Sequence, residues 1–166
     1  MNKETYPLAS AVHYDFGTRG DMPPVKLSWY DGGLKPRRPD EMDEGLQLPD
    51  TGTLYVGDKG KMLNGRLLPE SRMREYKHPP KTIPRSPGHY KEWIEACKGG
   101  QPGGANFDWA GPLAEVVLLG NVALRVELRE KLSRTKLYWD PDKMEFTNMP
   151  EANEFLHYEY RQGWSL

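Results

Sequence analysis

The chain has 166 residues, of which 37% are hydrophobic and 28% charged, and its formal net charge is −1. This length suits one domain with its own core. The near-neutral charge gives no electrostatic reason to expect binding to nucleic acid or to an anionic membrane. One cysteine, Cys97, excludes an internal disulfide framework. We expect a soluble protein without a signal peptide, and the compartment, cytoplasmic or periplasmic, stays open.

Alternating apolar and polar residues in the first half of the chain predict an antiparallel sheet. In the second of these strands, Val25, Leu27 and Trp29 share one face, which we expect to be buried. An eight-residue connection between the first two strands favours an antiparallel pair. Residues 58–60 supply the turn of a later hairpin. The predicted strands are residues 9–16, 25–31, 53–56, 61–63 and 66–68.

Two polar segments interrupt these strands. Residues 32–51 carry a basic run followed by an acidic one, and predict a solvated, mobile loop, with a lid or a partner contact as the alternative. Residues 69–84 are basic and contain several prolines, so we expect an irregular segment that wraps the surface.

A helix is predicted to begin at Ser86 and to end at Gly99. Ser86 is a favourable N-cap, the following proline suits a first helical position, and Gly99 suits the left-handed C-cap position. The apolar residues of this helix recur at helical spacing and predict one stripe that faces the core. They are Tyr90, Trp93, Ile94 and Cys97.

Residues 108–126 are the most apolar run and predict the core helix, buried nearly all round and laid across the sheet. Asp108 or Gly111 is expected to cap it, with Pro112 in its first turn. Polar residues interrupt the run, which we consider too short and too punctuated to span a membrane. They are Glu115, Asn121 and Arg125, and the last two are expected to bond each other or a strand backbone.

The end of the chain predicts a hairpin over residues 136–147 and a final helix opened by Pro150 and closed by Gly163, with Phe155 and Leu156 facing inward. The predicted fold is therefore a single α+β domain over residues 1–166, an open, mainly antiparallel sheet with helices packed on one face.

Few residues could carry chemistry. The four histidines are scattered, no pair has the spacing of a zinc-binding motif, and there is no paired-cysteine motif, so we predict no metal site. Cys97 lies on an apolar stripe, which favours a core filler over a nucleophile. His89 lies in the first turn of its helix, where it either is a surface or capping residue or faces a cleft and binds a substrate hydroxyl.

Five ordered blocks resemble the latter part of the substrate domain of bacterial Gfo/Idh/MocA oxidoreductases. The resemblance covers nearly all of the chain. The blocks are residues 20–33 (GDMPPVKLSWYDGG), 57–61 (GDKGK), 86–93 (SPGHYKEW), 118–125 (LLGNVALR), and 150–153 (PEAN) with 160–164 (YRQGW).

The resemblance implies an enzyme whose N-terminal Rossmann domain binds NAD or NADP and which moves hydride to or from sugars or polyols. This chain has no G-x-G-x-x-G turn for the pyrophosphate. The family's Glu-Lys-Pro is also absent, since Leu132 follows Glu130 and Lys131. No catalytic or cofactor-binding residue can therefore be transferred onto this chain, and a sugar or polyol and the cofactor are expected only for a full-length relative.

We expect a C-terminal domain or fragment that forms a wall of the substrate cleft and an oligomer interface and is inactive alone, with His89 as its substrate-binding residue. The alternatives are an independent sheet-based binding or dimerisation module without catalysis, and a hydrolase using His89 and a carboxylate. Aromatic residues on the sheet favour a homo-oligomer, most simply a two-fold dimer, without nucleic-acid or membrane partners. These residues are Tyr14, Trp29, Tyr55 and Trp139.

Overall fold

The computed structural model describes residues 5–130 and 135–164, and only the backbone of residues 127–130. The chain forms two compact units, one of residues Ala9–Arg85 and one of Met1–Leu8 with Ser86–Leu166. Helices and antiparallel strands are both present, which confirms the α+β class. The described strands form three small antiparallel sheets rather than one open sheet. The single domain over residues 1–166 stays a prediction.

In the first unit, strands β1 (Ala11–Phe16) and β2 (Val25–Tyr30) pair as an antiparallel ribbon, as predicted. Phe16 lies opposite Val25 and Val12 lies opposite Trp29. The expectation that this apolar face is buried is wrong, because Val25 is 58% and Trp29 60% exposed. Among the described residues of this unit, no other helix or strand packs against the β1–β2 ribbon.

The open end of the β1–β2 ribbon is closed by Ser10 and Asp31. The carboxylate of Asp31 accepts hydrogen bonds from the Ser10 backbone N–H at 2.6 Å and from the Ser10 hydroxyl at 2.9 Å. The Asp31 N–H donates to the Ser10 carbonyl at 3.1 Å. Three bonds between two residues stabilise the strand register at this end.

Strands β3 (Leu54–Gly57), β4 (Gly60–Leu63) and β5 (Arg66–Leu68) form a three-stranded antiparallel sheet, which confirms the predicted hairpin and its extension. Helix α1 (Glu70–Glu75) follows directly, so the prediction of an irregular segment is wrong at its start.

The loop between β2 and β3 is organised around Arg38. Its guanidinium donates to the carbonyl oxygens of Leu46 at 3.0 Å, Met42 at 2.9 Å and Asp43 at 2.8 Å. The Met42 side chain is only 5% exposed. Because one guanidinium bonds three backbone carbonyls and a methionine is buried, this loop is packed. The prediction of a solvated, mobile loop is therefore wrong.

The second unit contains helix α2 (His89–Cys97), helix α3 (Phe107–Glu130), strands β6 (Trp139–Asp140) and β7 (Glu145–Phe146), and a 3₁₀ helix (Pro150–Phe155). One side of α3 packs against the hairpin and the 3₁₀ helix and forms the core of this unit. The buried residues of this core are Val122, Val126, Phe146, Met149 and Ala152, with Leu119, Leu137, Trp139, Phe155 and Leu156 packed around them.

The N-cap of helix α2 lies two residues later than predicted. Gly88, with φ of +103°, takes the N-cap position, and the Ser86 hydroxyl accepts the Gly88 N–H at 3.0 Å instead of capping the helix. Gly99, at φ of +84°, lies just beyond the helix in the left-handed conformation, as predicted. The expectation that the stripe faces the core is wrong, because Tyr90 is 76% and Trp93 69% exposed. Cys97 is exposed too, so it is no core filler.

The start of α3 also differs from the prediction. The cap is supplied by Asn106, whose side-chain oxygen accepts the Asp108 N–H at 2.9 Å, and not by Asp108 or Gly111. Pro112 is consequently inside the helix rather than in its first turn.

The predicted burial of this helix nearly all round is wrong as well. Leu113 is 55% and Val117 59% exposed, because the hairpin and the 3₁₀ helix cover only one side of α3. Residues Phe107–Val126 have a mean hydropathy of 1.3 and are long and apolar enough to cross a membrane by length and composition alone. The expectation that this run is too short and too punctuated to span a membrane is therefore wrong. A mostly buried core helix of a soluble protein passes the same test, but only 17% of this run is buried. The absence of a membrane partner stays a prediction.

The polar residues of α3 tie it to its neighbours. Glu115 accepts the indole N–H of Trp139 at 2.7 Å. The guanidinium of Arg125 lies 4.5 Å from the centroid of the Phe155 ring, a cation–π contact with a side chain of the core in place of the expected bond to Asn121 or a strand. Trp139 therefore belongs to the core of its unit rather than to an exposed sheet face.

Asparagine side chains complete the hairpin edge. Asn153 accepts the Phe146 N–H at 2.7 Å and donates to the Phe146 carbonyl at 3.1 Å. Asn148 accepts the Tyr138 N–H at 2.8 Å and donates to the Lys136 carbonyl at 2.8 Å. The inward-facing Phe155 and Leu156 are confirmed as core neighbours, although the 3₁₀ helix ends at Phe155 instead of continuing to Gly163.

Candidate functional site

The predicted substrate-binding residue, His89, is the first residue of α2 and is exposed. Its position follows from Gly88, because the positive φ of that residue makes the chain turn into the helix directly before His89. The imidazole lies against the ring of Tyr90, with 4.1 Å between the ring centroids. Each of the two ring nitrogens can donate or accept a hydrogen bond, depending on the tautomer.

A carboxylate that the sequence analysis did not single out lies beside His89. Glu92, in the first turn of α2, accepts the backbone N–H of Gly104 at 3.0 Å and thereby links the helix to the loop that leads into α3. A hydrogen bond from Ser86 and then the bond from Gly104 lower the pKa of Glu92, partial burial opposes them, and the electrostatic effect of the nearby His89 is smaller. The carboxylate therefore stays ionised to lower pH than an ordinary glutamate.

The ionised Glu92 changes the chemistry expected of this helix start. The free N–H groups and the dipole of a helix N-terminus favour an anion, but here a carboxylate of the same turn already supplies that charge. An anionic ligand would also meet Glu92 as a like charge. His89 and Glu92, three residues apart on the helix, offer an imidazole and a carboxylate, two groups that a neutral hydroxyl compound can bond.

Two open depressions lie elsewhere, and His89 lines neither. One, of about 340 Å³, is lined by Tyr160, Arg161 and Trp164, with the guanidinium 5.8 Å from the indole centroid. The other, of about 200 Å³, lies beside the loop organised by Arg38. Its cations are already paired, since Lys61 bonds Glu41 at 2.6 Å and Arg37 bonds Asp40 at 3.3 Å.

The sequence pattern placed His89 correctly at the start of a helix but missed Glu92. The only available signal was its spacing, since residues 89 and 92 lie on one side of a helix. The bond from Gly104 depends on the path of a glycine-rich loop, which no periodicity reveals. Within residues 5–130 and 135–164, no cluster of three or more His, Cys, Asp or Glu residues could hold a metal ion. No family model matches the chain, and no curated protein matches it significantly.

Proposed function

We propose that this chain is the C-terminal part of an NAD(P)-dependent sugar or polyol oxidoreductase of the Gfo/Idh/MocA type. In this proposal it forms a wall of the substrate cleft and an oligomer interface, and it is inactive alone. His89 binds a substrate hydroxyl, and the dinucleotide is bound by a Rossmann domain that this sequence does not contain. The proposal begins with the five sequence blocks, since family and curated comparisons identify no relative.

The observation that supports the cleft role is an exposed His89 with the ionised Glu92 three residues further along the same helix. Glu92 is held by the Gly104 N–H, so an ionised acceptor lies one turn along the helix from the exposed imidazole. A sugar or polyol offers adjacent hydroxyls that can use both groups. The wide exposure of Tyr90 and Trp93 on the same helix supports a neighbouring protein surface that would complete the cleft.

The test is a chimaera in which residues 1–166 replace the corresponding segment of a full-length family enzyme. We expect NAD- or NADP-dependent oxidation of a polyol, with a raised KM or a lowered kcat for His89→Ala. His78→Ala is the matched control, because His78 is also exposed and contacts an aromatic ring, that of Tyr76. An inactive but folded chimaera, or equal effects of the two variants, would overturn the proposal.

The chain alone gives a second test of the same proposal. Without a turn for the pyrophosphate, it should show no binding of NAD or NADP by calorimetry. A micromolar dissociation constant for either would contradict the division of roles between this chain and a Rossmann domain.

A second candidate is an independent sheet-based binding or dimerisation module without catalysis. The exposed apolar face of the β1–β2 ribbon favours it, because a two-stranded ribbon is only marginally stable until something packs on it. A chimaera without activity, together with loss of self-association on Trp29→Asp, would favour this module over the oxidoreductase.

A further inference from the structure

Helix α3 has two apolar sides, and only one is covered by the rest of its unit. The covered side contributes Leu119, Val122 and Val126 to the core. The other side is turned to solvent, and we call it the outer side of α3. It consists of Phe107 (91% exposed), Trp109 (66%), Leu113 (55%), Val117 (59%) and Leu118 (59%).

We propose that the outer side of α3 receives the same side of a second copy of this chain. The inference rests on the proposed oligomeric role and changes its location, from the aromatic face of the sheet to the helix. A two-fold contact of this kind is isologous, so the surface has to be compatible with itself.

The charges of the helix meet this requirement. All five residues of the outer side are apolar, so two copies bring no like charges together there. Of the nearby charged residues, Glu115 bonds Trp139 and Arg125 lies over the Phe155 ring, while Asp108 is exposed at the start of the helix. The contact therefore leaves no ionised group of these residues buried without a partner.

The available area distinguishes the helix from the ribbon as the dimer surface. We take ~200 Å² for a fully buried aromatic side chain and ~100 Å² for a fully buried Val or Leu. The exposed fractions then give about 500 Å² per chain on the outer side of α3. The same estimate gives about 300 Å² for the exposed ribbon residues Phe16, Val25, Leu27 and Trp29. Val12 and Tyr14 on the same face are already partly buried and add less.

A specific interface buries about 1,000 Å² or more in total. Two outer sides of α3 come to about that value when all five residues of each are fully buried, and two ribbon faces do not. The outer side occupies the first half of the helix, from Phe107 to Leu118, and spans about 18 Å at the usual rise per residue.

A membrane is the competing occupant, because this helix is long and apolar enough by composition. The structure favours a protein partner. The bond from Trp139 to Glu115 and the packing of Phe146 against Val122 and Val126 attach a polar hairpin to the helix. Spanning a bilayer would carry that hairpin into hydrocarbon or break these contacts.

Sedimentation velocity of the complete chain at micromolar concentration tests the inference. We expect twice the 19.0 kDa chain mass. Leu113→Asp combined with Val117→Asp should weaken dimerisation ~100-fold or more, because each copy would then bring charges against its partner. Leu113→Ala with Val117→Ala should weaken it less while it preserves the helix, since alanine has the highest helix propensity. Circular dichroism verifies folding.

The controls distinguish a dimer formed through the outer side of α3 from a dimer formed through the ribbon and from binding to a bilayer. Leu113→Met with Val117→Ile retains the apolar surface and should still dimerise, as should Trp29→Asp in the ribbon. Dimers that dissociate with Trp29→Asp but survive the Asp pair and the Ala pair in α3 would overturn the inference and leave the proposed oligomer intact. A monomeric wild-type chain overturns both the inference and the proposed oligomer.

Co-sedimentation with phosphatidylcholine–phosphatidylglycerol vesicles, abolished by the Asp pair, would assign the surface to a membrane instead. The oxidoreductase role is tested separately by the chimaera.

Discussion

The β1–β2 ribbon and the β6–β7 hairpin are both two-stranded, yet the shorter one contains the buried core. Each strand of the ribbon has six paired residues and a regular register, but Trp29 is 60% exposed. Each strand of the hairpin has two residues, and Phe146 is 4% exposed. The two regions differ in what packs on them, because α3 and the 3₁₀ helix pack on the hairpin. Strand pairing organises the backbone, whereas burial requires a further element.

The largest expected effect is at Phe146. Phe146→Ala should lower the free energy of unfolding by about 3–5 kcal/mol, because it leaves a cavity between α3 and the 3₁₀ helix. Trp29→Ala in the ribbon should lower it by at most about 1 kcal/mol, the range of a cross-strand pair. Urea melts of the two variants make the comparison. Similar losses would mean that the ribbon contributes a core of its own.

A smaller effect is expected at Asn153, which replaces a neighbouring strand at the edge of β7. Asn153→Ala removes both bonds to the Phe146 backbone and should lower the free energy of unfolding by about 1–3 kcal/mol. Asn153→Asp keeps the acceptor for the Phe146 N–H and should lie between the wild type and the alanine variant. If the alanine variant melts like the wild type, the side chain does not stabilise this edge.

Helix α2 extends the comparison, because its apolar stripe is as uncovered as the ribbon face. Trp93→Ala should change the free energy of unfolding by no more than about 0.5 kcal/mol, as for other exposed residues. The sequence pattern predicts a core residue there, with a loss of about 3–5 kcal/mol. Met149→Ala, at a buried position, is the control and should lose about 2–5 kcal/mol. A loss at Trp93 as large as that at Met149 would restore the sequence-based prediction.

The smallest expected effect is a pH dependence at Glu92. Since the folded pKa lies below the unfolded value, the stabilisation from its bonds to Ser86 and Gly104 is present above the unfolded pKa. It is lost as the pH falls through the lowered folded pKa. The NMR shift of the Gly104 amide should follow this titration and stop doing so in Glu92→Gln. Glu95→Gln, on the same helix, should leave it unchanged. If the Gly104 shift titrates alike in both variants, the Glu92 carboxylate does not bond the Gly104 amide.

The sequence predicted which residues form strands and helices better than it predicted which side chains are buried. Alternation located β1, β2, β3 and β4 within two residues of their ends. The helix starts were missed by a few residues, because Gly88 and Asn106 compete successfully with Ser86 and Asp108 for the cap positions.

Burial was predicted wrongly for α2, for the ribbon and for one side of α3. Periodicity identifies an apolar face but contains no information about what covers it. The candidate site shows the same division. His89 follows from its place in a helix start, whereas Glu92 depends on a loop that brings Gly104 to its carboxylate. Contacts between segments distant in sequence require the fold itself.

Hydrogen exchange measured by mass spectrometry tests most directly whether cover, rather than strand pairing, determines where this chain is stable. The account predicts the slowest exchange in peptides over residues 119–126 and 145–153, where α3 packs on the hairpin and the 3₁₀ helix. Peptides over the β1–β2 ribbon should exchange faster, despite their complete antiparallel register. Protection of the ribbon equal to or greater than that of residues 119–126 would contradict the account.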